Sequence, residues 1–586
     1  MADVKKKNVL FIPSVKKGNG TGHFRRCLSF SHSDSINGKI FLSGGDHPDQ
    51  YSLFELKSSI PNLTSHMTVQ SVEGGWDLIV LDQRNTPSSL LESLPGGVPV
   101  IALDEGSPKD SMDYLIDLLP SPGKRNVNIF NPLLGIDPSI PVKKDNGGGR
   151  GKNILVTFGG EDQKDLTAGT LSALSRYANT AGGLSITAVQ GPMFSRGIEM
   201  PGIRILKNPE NLSRKLHAYD LVITSFGVTS FEAVRAGLPV VHVNPSDYHT
   251  KLSKNAGFPV AGTGRVNGKA LIRLTESALS GSLTSRYSEP GDQVGYFPDY
   301  IAGLSLKKES CPFCRSSGRT VLERFPERSF FKCRSCGIVY QARSFDHGIS
   351  YGARYFFDEY KSQYGKTYLE DFDHIKETGG TRLARARRLL RPGEGTGTVL
   401  DIGCAYGPFM TAAFEAGLHP TGFDISAEAV EYVKETLGLE AYEAVFPDAV
   451  PGEVAGRTFD IVSMWYVIEH FGDIGSVLKK TAEFCRDGSV FCFSTPNLNG
   501  ISALKDRRAF LMNSPSDHTV ILSPKSAANI LSRAGFKKAK TVATGIHRQR
   551  MPAWMAWLPD MFLTRIARLL HLGDTFELYA VRRRSE

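Results

Sequence analysis

The run Val399-Leu400-Asp401-Ile402-Gly403-Cys404-Ala405-Tyr406-Gly407 is answered about twenty residues later by Thr421-Gly422-Phe423-Asp424. An apolar strand enters a glycine turn, a helix follows, and a second strand ends in a carboxylate. That order leaves little choice of architecture: two parallel strands joined by a helical crossover, with the turn and the acid at the same edge of the sheet. Glycine lets backbone approach a ligand closely, and a carboxylate after the second strand can accept hydrogen bonds from ribose hydroxyls. The turn reads G-x-x-x-G, without the G-x-G-x-x-G run that cradles a pyrophosphate.

On these residues the segment resembles the class I S-adenosylmethionine-dependent methyltransferases, although Ala405 stands where the middle glycine of their first motif is common. Phe459-Asp460-Ile461-Val462-Ser463-Met464 fits a fourth strand, Trp465 to His470 the loop after it, and Ser489 to Asn497 a fifth strand. The resemblance implies that Asp401, Gly403, Ala405, Gly407, Asp424 and Asp460 bind the donor, S-adenosylmethionine. It also implies an acceptor beside Glu469-His470. His470 is the first candidate for a general base, with Glu469 orienting it; His518, in Pro515-Ser516-Asp517-His518, is the second.

Cys311-Pro312-Phe313-Cys314 and Cys333-Arg334-Ser335-Cys336 form two C-x-x-C knuckles on either side of a hairpin-like stretch. That spacing predicts a closed, tetrahedral, structural zinc site over residues 308–345. The hairpin carries Glu323, Phe325, Glu327 and Phe330-Phe331 instead of a basic patch, which argues against a nucleic-acid reader. Zinc-ribbon segments also precede the core in methyltransferases acting on nucleotide-linked deoxysugars. An aromatic connector around Tyr355–Gly365 would then lead into the methyltransferase domain at 346–586.

The chain has 586 residues, so several domains are expected. Its 41% hydrophobic and 22% charged composition is that of an ordinary globular protein, and the net charge of +9 is modest for the length. Nucleic-acid methylation, with the Arg382-to-Arg391 face on phosphates, remains the rival reading. No segment has the ~20 apolar residues of a membrane span. Four of the eight cysteines lie in the knuckles, so a reducing cytoplasm is expected. Residues 551–571 are apolar enough to be a packed helix or a membrane-surface segment.

The first half of the chain alternates short apolar strands with helical stretches on both sides of a polar, glycine-rich linker at 143–151. The strands fall at Val9–Pro13, Lys39–Ser43, Leu78–Asp82 and Val100–Asp104, then at Ile154–Phe158, Leu184–Val189, Ile203–Leu206, Leu221–Thr224 and Val240–Val243. The expected fold class is therefore α/β throughout, with two Rossmann-like lobes at 1–142 and 151–285 and an irregular stretch from about Ser280 to Lys308. Gly18-to-Leu28, Thr157-to-Asp162 and Thr224-to-Ala233 carry glycines, hydroxyls and one acid in G-x-G-H-x-x-R-C-L, F-G-G-x-D and G-x-T-S-x-E-A order. These motifs resemble the UDP-sugar hydrolases of the pseudaminic-acid pathway, relatives of the glycosyltransferase-B fold. The resemblance implies that His23 activates water, and that Gly20, Gly22, Gly159, Gly160, Gly227, Thr229 and Glu232 hold a UDP-sugar. Tyr248-His249 departs from that family, where a glutamine is usual. The expected protein is a bifunctional enzyme of nucleotide-sugar or glycan metabolism; the alternative keeps the first half as a scaffold for a nucleic-acid or protein methyltransferase.

Overall fold

The computed structural model describes residues 5–583 except 17–21, 44–48, 53–54, 57–66, 107–109, 121–125, 145–151, 160–161, 163, 192–193, 195–196, 284–294, 347–360, 362–364, 391–394 and 552–558. The chain divides into two units: Met1–Lys308 with Phe325–Glu327, and Glu309–Arg324 with Arg328–Glu586.

In the first unit, β1 (Lys7–Pro13), β2 (Ile36–Phe41), β3 (Thr68–Val69), β4 (Leu78–Asp82), β5 (Val100–Leu103), β6 (Tyr114–Asp117) and β7 (Ile129–Phe130) form one sheet in the order 3-2-1-4-5-6-7. A second sheet has the order 10-9-8-11-12-13, from β8 (Lys152–Thr157), β9 (Leu184–Gln190), β10 (Arg204–Lys207), β11 (Leu221–Thr224), β12 (Val240–Asn244) and β13 (Val260–Thr263). Every pairing in both sheets is parallel. Parallel strands are covered on both faces, which is why Val9 to Ile12 and Leu221 to Ile223 are unbroken apolar runs with no exposure. Helix α1 (Gly22–Ser31) follows β1, and α2 (Val228–Arg235) follows β11. The stretch read as irregular contains a helix, α3 (Phe297–Gly303), whose Phe297 ring lies 4.6 Å from Phe30 of α1. Its seven residues include a proline and a glycine, too short and too broken to show helical period.

The second unit opens with a hairpin and a third strand: β14 (Arg319–Arg324), β15 (Arg328–Cys333) and β16 (Val339–Arg343). Helix α4 (Phe372–Arg387) precedes the main sheet, and α5 (Pro408–Glu415) follows its first strand. The strands are β17 (Thr398–Ile402), β18 (His419–Asp424), β19 (Glu440–Glu443), β20 (Phe459–Trp465), β21 (Cys485–Pro496), β22 (Val520–Ile521), β23 (Phe536–Thr544) and β24 (Thr575–Arg582). Seven of them form a sheet in the order 19-18-17-20-21-24-23, with only β24 antiparallel to its neighbours. The short β22 instead pairs with β16 and completes the cysteine-bearing sheet. Phe331, Tyr340 and Ile338 of the cysteine-bearing stretch share one apolar core with Leu400, Val462, Phe491 and Phe493.

On helix α4, two arginines of the Arg382-to-Arg391 face turn inward, while Arg387 and Arg388 stay exposed. Arg382 is buried, donates to Glu577 at 3.0 Å and lies 4.4 Å above the Trp465 ring; Arg385 donates to the same carboxylate at 2.6 Å. Helix α6 (Asp560–Leu569) buries Leu563 and Ala567 beside Ile501 and Met551, while Met561, Phe562 and Leu569 face outward.

Where β18 passes α5, glycine is a packing requirement: a Cβ on Gly422 would stand 2.5 Å from Met410 Sδ and 2.7 Å from Cys404 Sγ. Gly422→Ala should therefore lower the urea-unfolding free energy by about 1–3 kcal/mol through overpacking.

Candidate active site

Strand β17 ends at Ile402, and the chain turns at Gly403 with a left-handed φ of +76°. Gly403 and Cys404 both donate their N–H groups to the Phe423 carbonyl, at 2.7 and 2.9 Å. A Cβ on Gly403 would fall 2.4 Å from Val467 Cγ2, so the turn fits beneath the loop after β20 only because it carries none. Ala405 then adopts φ +46°, a conformation costing an L-residue roughly 1–2 kcal/mol. There its N–H donates to Asp424 Oδ2 at 2.7 Å, while Ser426 N–H donates to Asp424 Oδ1 at 2.9 Å. Gly407, at φ +80°, opens α5. Asp401 lies at the same edge and accepts from the Ser463 hydroxyl at 2.7 Å. Burial pushes Asp401 up to about 8 and raises Asp424, so both carboxyls are primed to gain from a cationic or hydroxylated ligand.

Asp401, Gly403, Ala405, Gly407 and Asp424 are thus brought together. Asp460 is not. It accepts from the Gly397 and Thr398 N–H groups at 2.7 and 3.1 Å and pairs with Arg486, at the amino ends of β17 and β20. Its position two residues into β20 places it a strand's length from the glycine turn, so it ties strand ends together.

The loop after β20 supplies the other side of the site. Glu469 and His470 sit on a single 3-10 turn, Ile468–His470, and Glu469 is 1% exposed. Neither Glu469 oxygen meets a donor at bonding geometry, and the Ser494 and Thr495 hydroxyls at the end of β21 are likewise buried without partners. Burial pushes Glu469 up to about 7, against the pull of His470. His470 Nδ1 faces Asp517 Oδ2 at 3.0 Å. Burial lowers the His470 imidazole, but the Asp517 hydrogen bond and the Glu469 charge outweigh it and leave it above its ordinary value. The His518 ring stands perpendicular to that of His470, centroids 4.8 Å apart, and burial with the neighbouring imidazole pushes it down to about 4.

The cysteine-bearing sheet positions this cluster. Arg328 on β15 donates to the carbonyls of Met512, Ser514 and Pro515 at 2.9, 2.7 and 3.3 Å, and Gln341 on β16 donates to Ser516 O at 2.5 Å and, from its N–H, to Thr519 O at 3.0 Å. The Thr519 hydroxyl in turn reaches the carbonyls of Glu469 and Phe471 at 3.1 and 2.6 Å. Cys311, Cys314, Cys333 and Cys336 anchor the sheet. Their sulfurs all lie within 4.8 Å of one another, with Cys311–Cys336 at 3.5 Å and Cys314–Cys333 at 3.6 Å. Four thiolates at ~2.3 Å around a tetrahedral zinc stand about 3.8 Å apart, so the set fits such an ion with little movement.

In the first unit, His23 at the start of α1 points Nδ1 at Asp82 Oδ1, 2.5 Å away. Arg26 forks across two carboxylates, reaching Asp82 at 2.6 and 2.9 Å and Asp104 at 3.0 Å. Burial would raise Asp82, but Arg26 and His23 hold it well below the usual carboxylate range. Gly22 begins α1, Gly159 follows β8 at φ +82°, and Gly227 with Thr229 and Glu232 opens α2. Burial pushes Glu232 up to about 7, with the Thr229 hydroxyl opposing it. Gly20 and Gly160 lie outside the described residues. Asp82, Asp104, Asp517 and Ser463 escaped the sequence reading. Asp82 and Asp104 could have been found, since acids ending adjacent parallel strands converge at one edge.

Residues 375–541 match the family model described as a methyltransferase domain. This part of the chain is a class I methyltransferase domain. Among similar proteins, a ubiquinone biosynthesis O-methyltransferase of Aromatoleum aromaticum is 28% identical over 151 residues, 24% of this chain and 64% of its own length. Another from Bordetella avium is 34% identical over 111 residues, 18% of this chain and 45% of its own length. A protein of Methanocaldococcus jannaschii described as uncharacterized is 35% identical over 121 residues, 18% of this chain and 24% of its own length. The chain therefore spans less than two thirds of each of these relatives. A solved S-adenosylmethionine-dependent methyltransferase from Archaeoglobus fulgidus aligns over 39% of this chain and 100% of its own, at 16% identity and TM-score 0.29. Among the described residues no helix is long and apolar enough to cross a membrane.

Asp460 provides a check on the geometry of the methyltransferase domain. Asp460→Ala strips two backbone N–H groups of their acceptor and should cost roughly 1–3 kcal/mol in urea unfolding, with S-adenosylmethionine affinity unchanged by calorimetry.

Proposed function

We propose that the second unit transfers a methyl group from S-adenosylmethionine to a hydroxyl of a small molecule, a sugar or another intermediate of glycan metabolism. The observation that carries this reading is the meeting of two polar edges. The glycine turn with Asp401 and Asp424 lies on one side of Val467, and the unsatisfied Glu469, Ser494, Thr495 and His518 groups lie at the ends of β20 and β21 and the loop beside them. Bound at that turn, the donor supplies an electrophilic methyl carbon on a sulfonium.

Asp424, held by two backbone N–H groups, is the acceptor for the ribose hydroxyls, and Ala405 acts by fixing it. Gly403 and Gly407 let the backbone close over the donor. Asp401 faces the cationic methionine end. The Glu469–His470–His518 cluster makes the acceptor hydroxyl nucleophilic and, with Asp517 behind His470, is oriented for it. Transfer to oxygen is supported by the O-methyltransferases among the similar proteins. A sugar acceptor is supported by the motifs of the first half. The four cysteines hold a structural zinc that keeps Arg328 and Gln341 on the acceptor loop.

A second activity in the first unit rests on the His23–Asp82 contact. A histidine whose Nδ1 is held by a buried carboxylate is arranged to take a proton at its other nitrogen, which hydrolysis of a UDP-sugar requires. Gly22, Gly159, Gly227, Thr229 and Glu232, with Gly20 and Gly160, would hold the nucleotide.

Calorimetric titration tests both halves. Asp424→Ala should weaken S-adenosylmethionine binding at least tenfold, about 1.4 kcal/mol; unchanged affinity overturns the donor site. Because burial keeps Asp401 protonated near neutrality and a cation favours its ionised form, donor affinity should rise between pH 6 and 8. Asp401→Asn should flatten that rise. UDP should bind the full chain and lose its heat in Glu232→Ala; if UDP does not bind, the first unit serves another ligand or none.

A further inference from the structure

Glu469 is the most deeply buried acid on the acceptor side; the Thr495 hydroxyl and its own backbone N–H approach its oxygens, but neither at full hydrogen-bond geometry. His518 Nδ1 is buried and unpartnered. An ionisable group without a strong partner in the interior is expensive, and a bound cation is one way such a group is satisfied. One ligating atom from each of Glu469, His470 and His518 lies within 4.8 Å of the other two. A carboxylate and two imidazoles sharing a divalent ion at ~2.0–2.2 Å stand about 3–3.6 Å apart, so a contraction of at most about 1–2 Å closes the set. Behind it, Asp517 holds His470 Nδ1 at 3.0 Å, the carboxylate–histidine arrangement that orients metal-binding imidazoles. The Thr519 hydroxyl pins the Glu469 and Phe471 carbonyls, so two of the three residues sit on one rigid turn.

We infer that Glu469, His470 and His518 bind a divalent first-row transition-metal ion, separate from the four-cysteine site, with open positions for the acceptor oxygen. Two nitrogens and one carboxylate favour zinc, cobalt, manganese or iron over calcium and magnesium. The inference rests on the methyltransferase reading for its role only. A hydroxyl on the ion releases its proton to solvent, its oxygen forms the new O–C bond, and the C–S electron pair returns to sulfur. No oxidant or reductant is needed.

The full-length protein, stripped with chelator and titrated with CoCl2, should take up two equivalents per chain. One should give the thiolate-to-cobalt charge-transfer band of the cysteine site, and the other only ligand-field absorption. Glu469→Gln and His518→Ala should each abolish the second equivalent and leave the thiolate band intact, which also shows that the variants are folded. Asp517→Asn should weaken the second site by about 10- to 100-fold without removing it. Uptake of cobalt by the thiolate site alone, or a second equivalent indifferent to these substitutions, overturns the inference. Donor affinity measured on the same samples separates the two readings: donor binding without a second metal sinks only the metal site, whereas a second metal without donor binding sinks the methyl-transfer reading.

Discussion

One carbonyl organises the methyltransferase domain. Phe423 O accepts from both Gly403 and Cys404, folding the turn after β17 back onto the end of β18. With the turn in that place, Ala405 N–H meets Asp424, the Gly403 α-carbon slides under Val467, and α5 starts at Gly407 against the bare backbone of Gly422. Each contact depends on a missing or minimal side chain. The turn carries a real cost at Ala405, an alanine at positive φ, offset by a charge-assisted hydrogen bond to a buried carboxylate.

The side of the site that carries Glu469, His470 and His518 is built differently. Its residues come from a 3-10 turn after β20, the end of β21 and a loop before β22, and no single element fixes them. The cysteine-bearing sheet does so from outside: β16 pairs with β22, and Arg328 and Gln341 hold the backbone of residues 512–519. The four cysteines thus act on the site at one remove, through a strand and two side chains. That explains why Phe331 and Tyr340 share a core with the strands of the main sheet instead of forming a core of their own.

The first unit concentrates charge at one edge in a comparable way. Arg26 joins Asp82 and Asp104, whose strands lie side by side, and His23 completes the network from the helix after β1. Asp104 also caps the Leu118 and Leu119 N–H groups at 2.8 Å, so this network is welded to the backbone and holds His23 in one orientation. Two parallel sheets of this kind present their strand-end groups at their carboxyl edges, where ligands of open α/β sheets are bound.

The sequence by itself determined the α/β class, most strands, the glycine turn with Asp401 and Asp424, and the pairing of the two cysteine knuckles. Each of these depends on local pattern: unbroken apolar runs, glycines at turns, and C-x-x-C spacing. Leu78–Asp82 and Leu221–Thr224 were legible to the residue, because a strand buried on both faces is apolar along its whole length. The two-residue β3 and β7 and the short α3 were not, being too brief for any period to develop. Only the tertiary structure decided that Asp460 belongs to the far end of its strand, that Arg382 and Arg385 turn inward to Glu577, and that Asp517 stands behind His470. It alone placed His518 beside Glu469-His470. These are meetings of residues far apart in the chain, set by strand order and by which edge a residue reaches, and no local pattern encodes them.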